Sequence, residues 1–114
     1  MTAPETVLVG ALVFNAVIGL AYRVFRLTRG GPMADVIGQA ILGALLLMLA
    51  AGVAAEWNPA RWVALAYALI WGLAVMPVWV LGVLIPLRPR WYDYAFTAAY
   101  WVALGVTAAA AIAA

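Results

Sequence analysis

The chain consists almost entirely of four uncharged, strongly apolar stretches, each long enough to cross a membrane as a helix. They cover residues 6–22, 36–55, 62–87 and 94–114. Because the hydrocarbon core of a bilayer is roughly 30 Å thick, about 20 helical residues are enough to span it. With 70% hydrophobic and 9% charged residues and a mean hydropathy of +1.13, little sequence remains for a water-soluble domain. The sequence therefore predicts an all-α integral membrane protein with four transmembrane helices.

The apolar stretches are separated by short turns that contain glycine or proline, residues that interrupt helices. We therefore predict two sequential helical hairpins in one four-helix domain. Pro77 lies inside the third stretch, where the missing N–H removes one backbone hydrogen bond and is expected to kink the helix. The predicted domain covers residues 1–114, with spans at about residues 6–27, 35–55, 62–87 and 94–114.

The basic residues are distributed very unevenly between the two ends of the predicted bundle. Only Arg61 falls at the end that carries both termini, and the other five arginines fall in the first and third turns. Arginine-rich loops face the cytoplasm, so both termini are expected on the non-cytoplasmic side of a prokaryotic plasma membrane. The first apolar run is short, so Arg23 is expected to snorkel towards the interface. The arginines expected beside lipid headgroups, together with one tryptophan, are Arg26, Arg29, Arg88, Arg90 and Trp91.

The residue inventory argues against several classes of function. The chain has no histidine and no cysteine, which excludes haem ligation by these residues, iron–sulfur clusters, ordinary zinc sites and thiol nucleophiles. Each of the four acidic residues stands at the edge of an apolar run, so no carboxylate is expected deep in the bilayer as in a proton pathway. We therefore expect no cofactor, no metal and no enzymatic activity. The net charge of +2 is explained by membrane orientation, and no nucleic-acid partner is expected.

Three polar side chains within the apolar runs are candidates for a functional role. Asn15 lies near the predicted midplane, and Gln39 and Thr97 each follow a helix-opening aspartate by four residues. One interpretation is that they form hydrogen bonds between helices, which contribute about 0.6–2 kcal/mol in membrane proteins. The other is that they line a polar path.

Small residues and tryptophans recur at helical spacing and form the predicted packing surfaces. In lipid, small side chains let two helix backbones approach closely. The surfaces could hold the bundle together or dock a partner, and the alanine-rich end of the fourth span is the first candidate for docking. Deep tryptophans could fill the core, stack on a bound molecule or anchor a neighbour. The selected residues are Ala64, Ala68, Gly72, Ala99, Ala103, Trp71 and Trp101.

The second predicted hairpin resembles the SPW-repeat membrane proteins, a family of paired helices with a tryptophan-proline signature. The matching residues run from Trp71 to Gly82 (WGLAVMPVWVLG), followed by Trp91, Tyr92 and Asp93. At the signature itself this chain has Met-Pro-Val-Trp in place of Ser-Pro-Trp. That family has no settled activity, so the resemblance implies an architecture of paired helices and no particular function.

The first predicted hairpin is similar to a three-span subunit of the multisubunit cation/proton antiporters. In that family an R-L-x-R-G-P turn precedes an aspartate and a second span. Here the corresponding residues are Arg26-Leu27-Thr28-Arg29-Gly30, an additional Gly31, then Pro32 and Asp35. Val36 stands where that family has a basic residue, and this chain has four predicted spans where the family has three.

These observations predict a small non-catalytic membrane protein that serves as an accessory or scaffold subunit. Its expected partners are membrane lipids and either larger membrane subunits or further copies of itself. The alternative is a small homo-oligomeric transporter or channel lined by Asn15, Gln39 and Thr97. A channel should bring these three residues to one water-accessible surface, whereas a scaffold should bury them between helices.

Overall fold

The computed structural model describes residues 2–84 and 90–114, and its elements in this part of the chain are all helical. Four continuous helical segments, which we call rods, are long and apolar enough to cross a membrane. The third rod begins as an α-helix and then alternates between π-helical and α-helical segments. The elements are α1 (Ala3–Leu27), α2 (Met33–Ala54), α3 (Asn58–Ile70), π1 (Trp71–Val75), α4 (Met76–Trp79), π2 (Val80–Leu84) and α5 (Trp91–Ala113).

The helices start slightly earlier than the apolar runs suggest, because the polar residues before each run form the first helical turn. The third rod starts at Asn58 instead of the expected residue 62, since Pro59 fits the first turn, where an N–H would have no helical partner. In α5 the backbone N–H of Arg90 donates to the Asp93 carboxylate at 2.9 Å, so the helix begins at Trp91 instead of residue 94. The predicted end of the third span, residue 87, lies outside the described residues.

Two turns join the first three rods through backbone conformations with positive φ. Gly30 has φ 90°, and the N–H of Gly31 donates to the Arg26 carbonyl at 2.8 Å, which ends α1. After α2, Glu56 adopts φ 61°, and the N–H of Trp57 donates to the Gly52 carbonyl at 2.9 Å. Positive φ is uncommon in residues other than glycine. Both turns therefore reverse the chain within a few residues.

The rods form a closed ring of neighbours in which α1 packs against α2 and α5, and α3 packs against the same two helices. Leucines from three helices meet at the centre, and alanines of α3 complete the core. Gly43 of α2 faces Ala16 of α1, and a Cβ there would lie 3.7 Å from Ala16, an ordinary van der Waals contact. The fully buried core residues include Leu8, Leu12, Leu46, Leu104, Ala60 and Ala64.

Pro77 is flanked on both sides by π-helical turns, π1 before it and π2 after it. At the end of π1 the N–H of Met76 bonds to the carbonyl of Trp71, five residues earlier. The next bond in that register would join residue 77 to the Gly72 carbonyl, and proline has no N–H with which to make it. The Gly72 carbonyl is instead bonded by the indole N–H of Trp101 in α5, at 2.8 Å.

Candidate functional site

A small, partly open cavity of about 60 Å³ lies between the helices at the end of the bundle where Arg23 and Asp35 form an ion pair. We call this end the arginine end; its described charged residues are Arg23, Arg26, Arg29, Arg90, Asp35 and Asp93. Arg23, Gln39 and Tyr100 bring polar groups to the cavity, and aromatic and apolar side chains form the rest of its wall. Part of that wall is π1, whose Trp71 and Val75 line it. Wide π turns frequently occur at functional sites.

The Arg23 side chain packs within the bundle near its end, close to Asp35 in the first turn of α2. Its Nη1 lies 3.5 Å from Oδ2 of Asp35, and its side chain is 19% exposed against 44% for the aspartate. The guanidinium also lies 5.6 Å from the ring centre of Trp79 and 5.9 Å from that of Tyr22. The guanidinium therefore lies between aromatic rings and the Asp35 carboxylate at this end of the bundle.

Gln39 extends from α2 towards α1 and the cavity. A Cβ at Gly19 would lie only 2.3 Å from the Gln39 amide nitrogen, so the amide packs directly on the Gly19 backbone. That nitrogen is buried and has no hydrogen-bond partner among the described residues. Amide groups buried without a partner are uncommon, and each calls for an explanation such as a ligand or a water molecule.

Two tyrosine hydroxyls meet next to the cavity. Tyr67 of α3 and Tyr100 of α5 are both buried, and their oxygens lie 2.6 Å apart. One hydroxyl donates to the other, which leaves one further O–H proton for another acceptor. The pair therefore joins α3 to α5 and presents a hydrogen-bonding group at the cavity through Tyr100.

Asp93 connects α1 to α5 near the cavity. The Tyr22 hydroxyl donates to the Asp93 carboxylate at 2.5 Å, and the Tyr22 ring stacks on Phe96 with ring centres 3.9 Å apart. Thr97, one of the polar residues selected from the sequence, donates to the backbone carbonyl of Asp93 at 2.8 Å. The Thr97 hydroxyl is thus hydrogen-bonded within its own helix, and it makes no hydrogen bond to Gln39 in the described structure.

Asn15 lies apart from this cluster, fully buried between α1 and α5. Its amide nitrogen is 3.4 Å from the Thr107 hydroxyl, which itself donates to the Ala103 carbonyl at 2.7 Å. The Asn15 amide oxygen has no partner among the described residues. The three polar residues selected from the sequence are therefore buried or half-buried and do not share one exposed surface.

The predicted small-residue surfaces divide into an internal and an external group. Ala64, Ala68 and Gly72 are buried in the bundle, and Trp71 is half-buried beside Tyr67 with ring centres 5.1 Å apart. In the alanine-rich end of α5, Ala110 and Ala111 are also buried. These small side chains contribute to contacts within the bundle.

A second group of small residues lines an open groove between α1 and α5, with a volume of about 630 Å³. Ala99 is half-buried there, Ala103 forms part of its floor, and Trp101, on the same helix but outside the groove, is 40% exposed. No charged or hydrogen-bonding side chain lines the groove within the described residues. We call it the α1–α5 groove; its residues are Val7, Gly10, Ala11, Phe14, Ala98, Ala99, Val102, Ala103 and Val106.

The residues selected for lipid headgroups lie at the arginine end, apart from Arg88, which is outside the described residues. Arg29 donates to the Tyr92 hydroxyl at 2.7 Å and lies 5.4 Å from the ring centre of Phe25. Arg26 is half-buried near Tyr22, whereas Arg90 and Trp91 are exposed, Trp91 by 79%. This end therefore presents cations and one large indole on its surface.

At the opposite end a shallow pocket of about 140 Å³ collects Glu5, Glu56, Trp57 and Arg61. Arg61 donates to the carbonyl of Ala114 and covers the ring of Trp62 at 4.3 Å. Within the described residues, no group of three potential metal-ligating side chains comes together here or elsewhere.

Comparison with known proteins finds no family model that matches the chain, no similar curated protein and no similar solved structure. The four candidate membrane-spanning helices define the class, a multi-pass membrane protein. The similarities to SPW-repeat proteins and to the three-span antiporter component stay predictions.

Most residues that form the cavity were not selected from the sequence, although signals for some of them were present. Tyr67 and Tyr100 stand far inside apolar runs, where a hydroxyl group needs a hydrogen-bond partner. Arg23 precedes the end of α1 by more than one helical turn, so its side chain can also reach the neighbouring helices. Which helix each side chain faces depends on the packing of the four rods, and apolar run lengths do not contain that information.

Proposed function

We propose that this chain is a small, non-catalytic integral membrane protein that acts as an accessory or scaffold subunit of a larger membrane assembly. The observation that carries the proposal is the α1–α5 groove, an open apolar surface floored by glycine and alanine. Grooves of this kind let a neighbouring transmembrane helix approach closely enough for van der Waals contact along its length. The buried positions of Asn15 and Thr97 support the same assignment, since these groups are used within the bundle.

In this proposal the two helical hairpins lie in a prokaryotic plasma membrane with the arginine end in the cytoplasm and both termini outside. The support is the positive-inside rule applied to five arginines against one. Because the chain contains no cysteine, single cysteines can report this topology directly. Thr28→Cys should be protected from a membrane-impermeant maleimide in intact cells, and Asn58→Cys should be labelled. Labelling at position 28 with protection at position 58 would reverse the orientation.

The partner test is extraction from native membranes into nanodiscs, followed by native mass spectrometry. An unrelated larger subunit at fixed stoichiometry supports the accessory role. A matched pair of glycine substitutions locates the contact, since a Cβ at either position would have no neighbour within 4 Å. Gly10→Leu fills the α1–α5 groove and should release the partner, whereas Gly105→Leu lies outside the groove and should retain it.

The alternative is a homo-oligomeric transporter or channel for ions or small solutes. Its expected path would use Asn15, Gln39 and Thr97, which share no exposed surface in the protomer, so a water-accessible path would have to form on assembly of several copies. A homo-oligomer without other subunits in the same mass spectra would overturn the accessory role and favour this alternative.

A further inference from the structure

We propose that the cavity at the arginine end binds one small monovalent inorganic anion, of the size of chloride, bromide or nitrate. The proposal is independent of the accessory role, because it concerns the interior of a single chain and does not involve the α1–α5 groove. It depends on three properties of the cavity: an excess of hydrogen-bond donors, a small volume and a positive surrounding field.

The donors come mainly from Arg23. A guanidinium group carries five N–H donors in a fixed planar arrangement and no acceptor. Here it has a single long contact with Asp35, at 3.5 Å, and its faces lie near the rings of Tyr22 and Trp79. Within the described residues it makes no hydrogen bond, so its donors remain available on the side that lines the cavity. An anion would supply the missing acceptors through charge-assisted hydrogen bonds.

Gln39 and Tyr100 add adaptable polar groups to the same cavity. The Gln39 amide nitrogen makes no hydrogen bond of normal geometry, and the amide lies close to the Tyr100 hydroxyl. Rotation of the amide exchanges the positions of its N–H₂ and C=O groups without a change of shape. The Tyr67–Tyr100 pair retains one O–H proton that is not used between the two hydroxyls. Both side chains can therefore turn a donor towards an anion.

The volume suits a small ion. A space of about 60 Å³ holds a few water molecules. A halide or a small planar anion fits it. The remaining wall of tryptophan, phenylalanine, methionine and valine lowers the local dielectric constant, which strengthens the attraction between the guanidinium and a negative charge.

The surrounding charges favour an anion over a cation. The described residues of the arginine end include four arginines and only two aspartates. Of these aspartates, Asp93 already accepts hydrogen bonds from Tyr22 and the Arg90 backbone. A net positive cluster raises the local concentration of anions. Asp35 is the internal competitor, because its carboxylate occupies the same guanidinium that the anion would use.

The test is a bromide titration of the full chain in nanodiscs of zwitterionic lipid, with gluconate replacing bromide at constant ionic strength. Bromide quenches indole fluorescence, and Trp71 and Trp79 line the cavity. Collisional quenching of the exposed tryptophans rises linearly with bromide, whereas filling of a site saturates. We expect a saturable component in the unmodified chain.

Three variants assign that component to the cavity. Arg23→Gln should weaken the saturable affinity about tenfold or more, since it removes the charged donors. Asp35→Asn should strengthen it about threefold or more, since it removes the competing carboxylate. Arg29→Gln removes the same charge from an exposed position outside the cavity. It should weaken the affinity by no more than about twofold, because it removes only a solvent-screened part of the positive field.

The Asp35→Asn variant keeps the proposal falsifiable even if Arg23→Gln does not fold, because misfolding cannot increase affinity. Linear quenching alone in both the unmodified chain and Asp35→Asn would mean that the cavity holds only water. A saturable component with equal affinity in the unmodified chain and Asp35→Asn would place the bromide elsewhere. Either result would overturn the proposal.

Discussion

The indole N–H of Trp101 donates to the Gly72 carbonyl at 2.8 Å, and this carbonyl is the group that Pro77 leaves without a partner in the π-helical register. A helix interrupted by proline in an apolar environment needs a replacement donor, because an unpaired carbonyl there costs several kcal/mol. A Cβ at Gly72 would lie 4.0 Å from Nε1 of Trp101, so the indole packs closely against the backbone at this position. The Trp101–Gly72 bond thus joins the third rod to α5 at the turn where Pro77 removes a backbone hydrogen bond.

The first prediction concerns this bond. Trp101→Phe should lower the free energy of unfolding by about 1 kcal/mol, a value within the range measured for hydrogen bonds between helices in membranes. In a Pro77→Ala background the same substitution should cost less, because the new N–H at position 77 can bond to the Gly72 carbonyl. Reversible unfolding in mixed micelles measures all four corners of this double-mutant cycle. Equal costs in both backgrounds would mean that Trp101 does not replace the missing N–H.

The second prediction concerns the buried hydroxyl pair. Tyr67→Phe and Tyr100→Phe should each destabilise the bundle by about 1–2 kcal/mol, since each leaves the other hydroxyl without its partner. The double variant should cost less than the sum, because it leaves no unpaired hydroxyl. Thermal unfolding in detergent gives the comparison. Additive costs would indicate that the two hydroxyls are not coupled.

The third prediction concerns the first turn. A Cβ at Gly31 would lie 2.8 Å from the Arg26 carbonyl oxygen, a backbone atom that cannot move away easily. Gly31→Ala should therefore destabilise the protein by about 1–3 kcal/mol. Gly38→Ala is the matched control, because a Cβ there has no neighbour within 4 Å, and it should stabilise α2 by up to about 1 kcal/mol. A neutral Gly31→Ala variant would contradict the geometry of this turn.

The fourth prediction compares how much apolar packing and the central polar contact contribute to the free energy of unfolding. Leu12→Ala should cost about 2–5 kcal/mol, because Leu12 is fully buried in the core. Asn15→Ala should cost less than about 1 kcal/mol, since the bond to Thr107 is long at 3.4 Å and the substitution also removes an unpaired amide oxygen. The free energies of unfolding should keep that order. An Asn15→Ala cost equal to that of Leu12→Ala would make the amide a main contributor to stability.

The sequence by itself determined that this chain forms four long apolar helices, because run length and turn residues are local properties. It also located the described helix ends to within a few residues. The differences at Asn58 and Trp91 arose where Pro59 and the capping Asp93 start a helix before the apolar run begins.

Only the tertiary structure decided the direction of Arg23, the pairing of Tyr67 with Tyr100 and the division of small residues between the core and the α1–α5 groove. Each of these depends on how the rods are rotated about their axes and on their relative heights. An apolar residue is acceptable on every side of such a helix, so hydrophobicity alone leaves that rotation open. The few polar groups and the shapes of the glycine and alanine contacts select it.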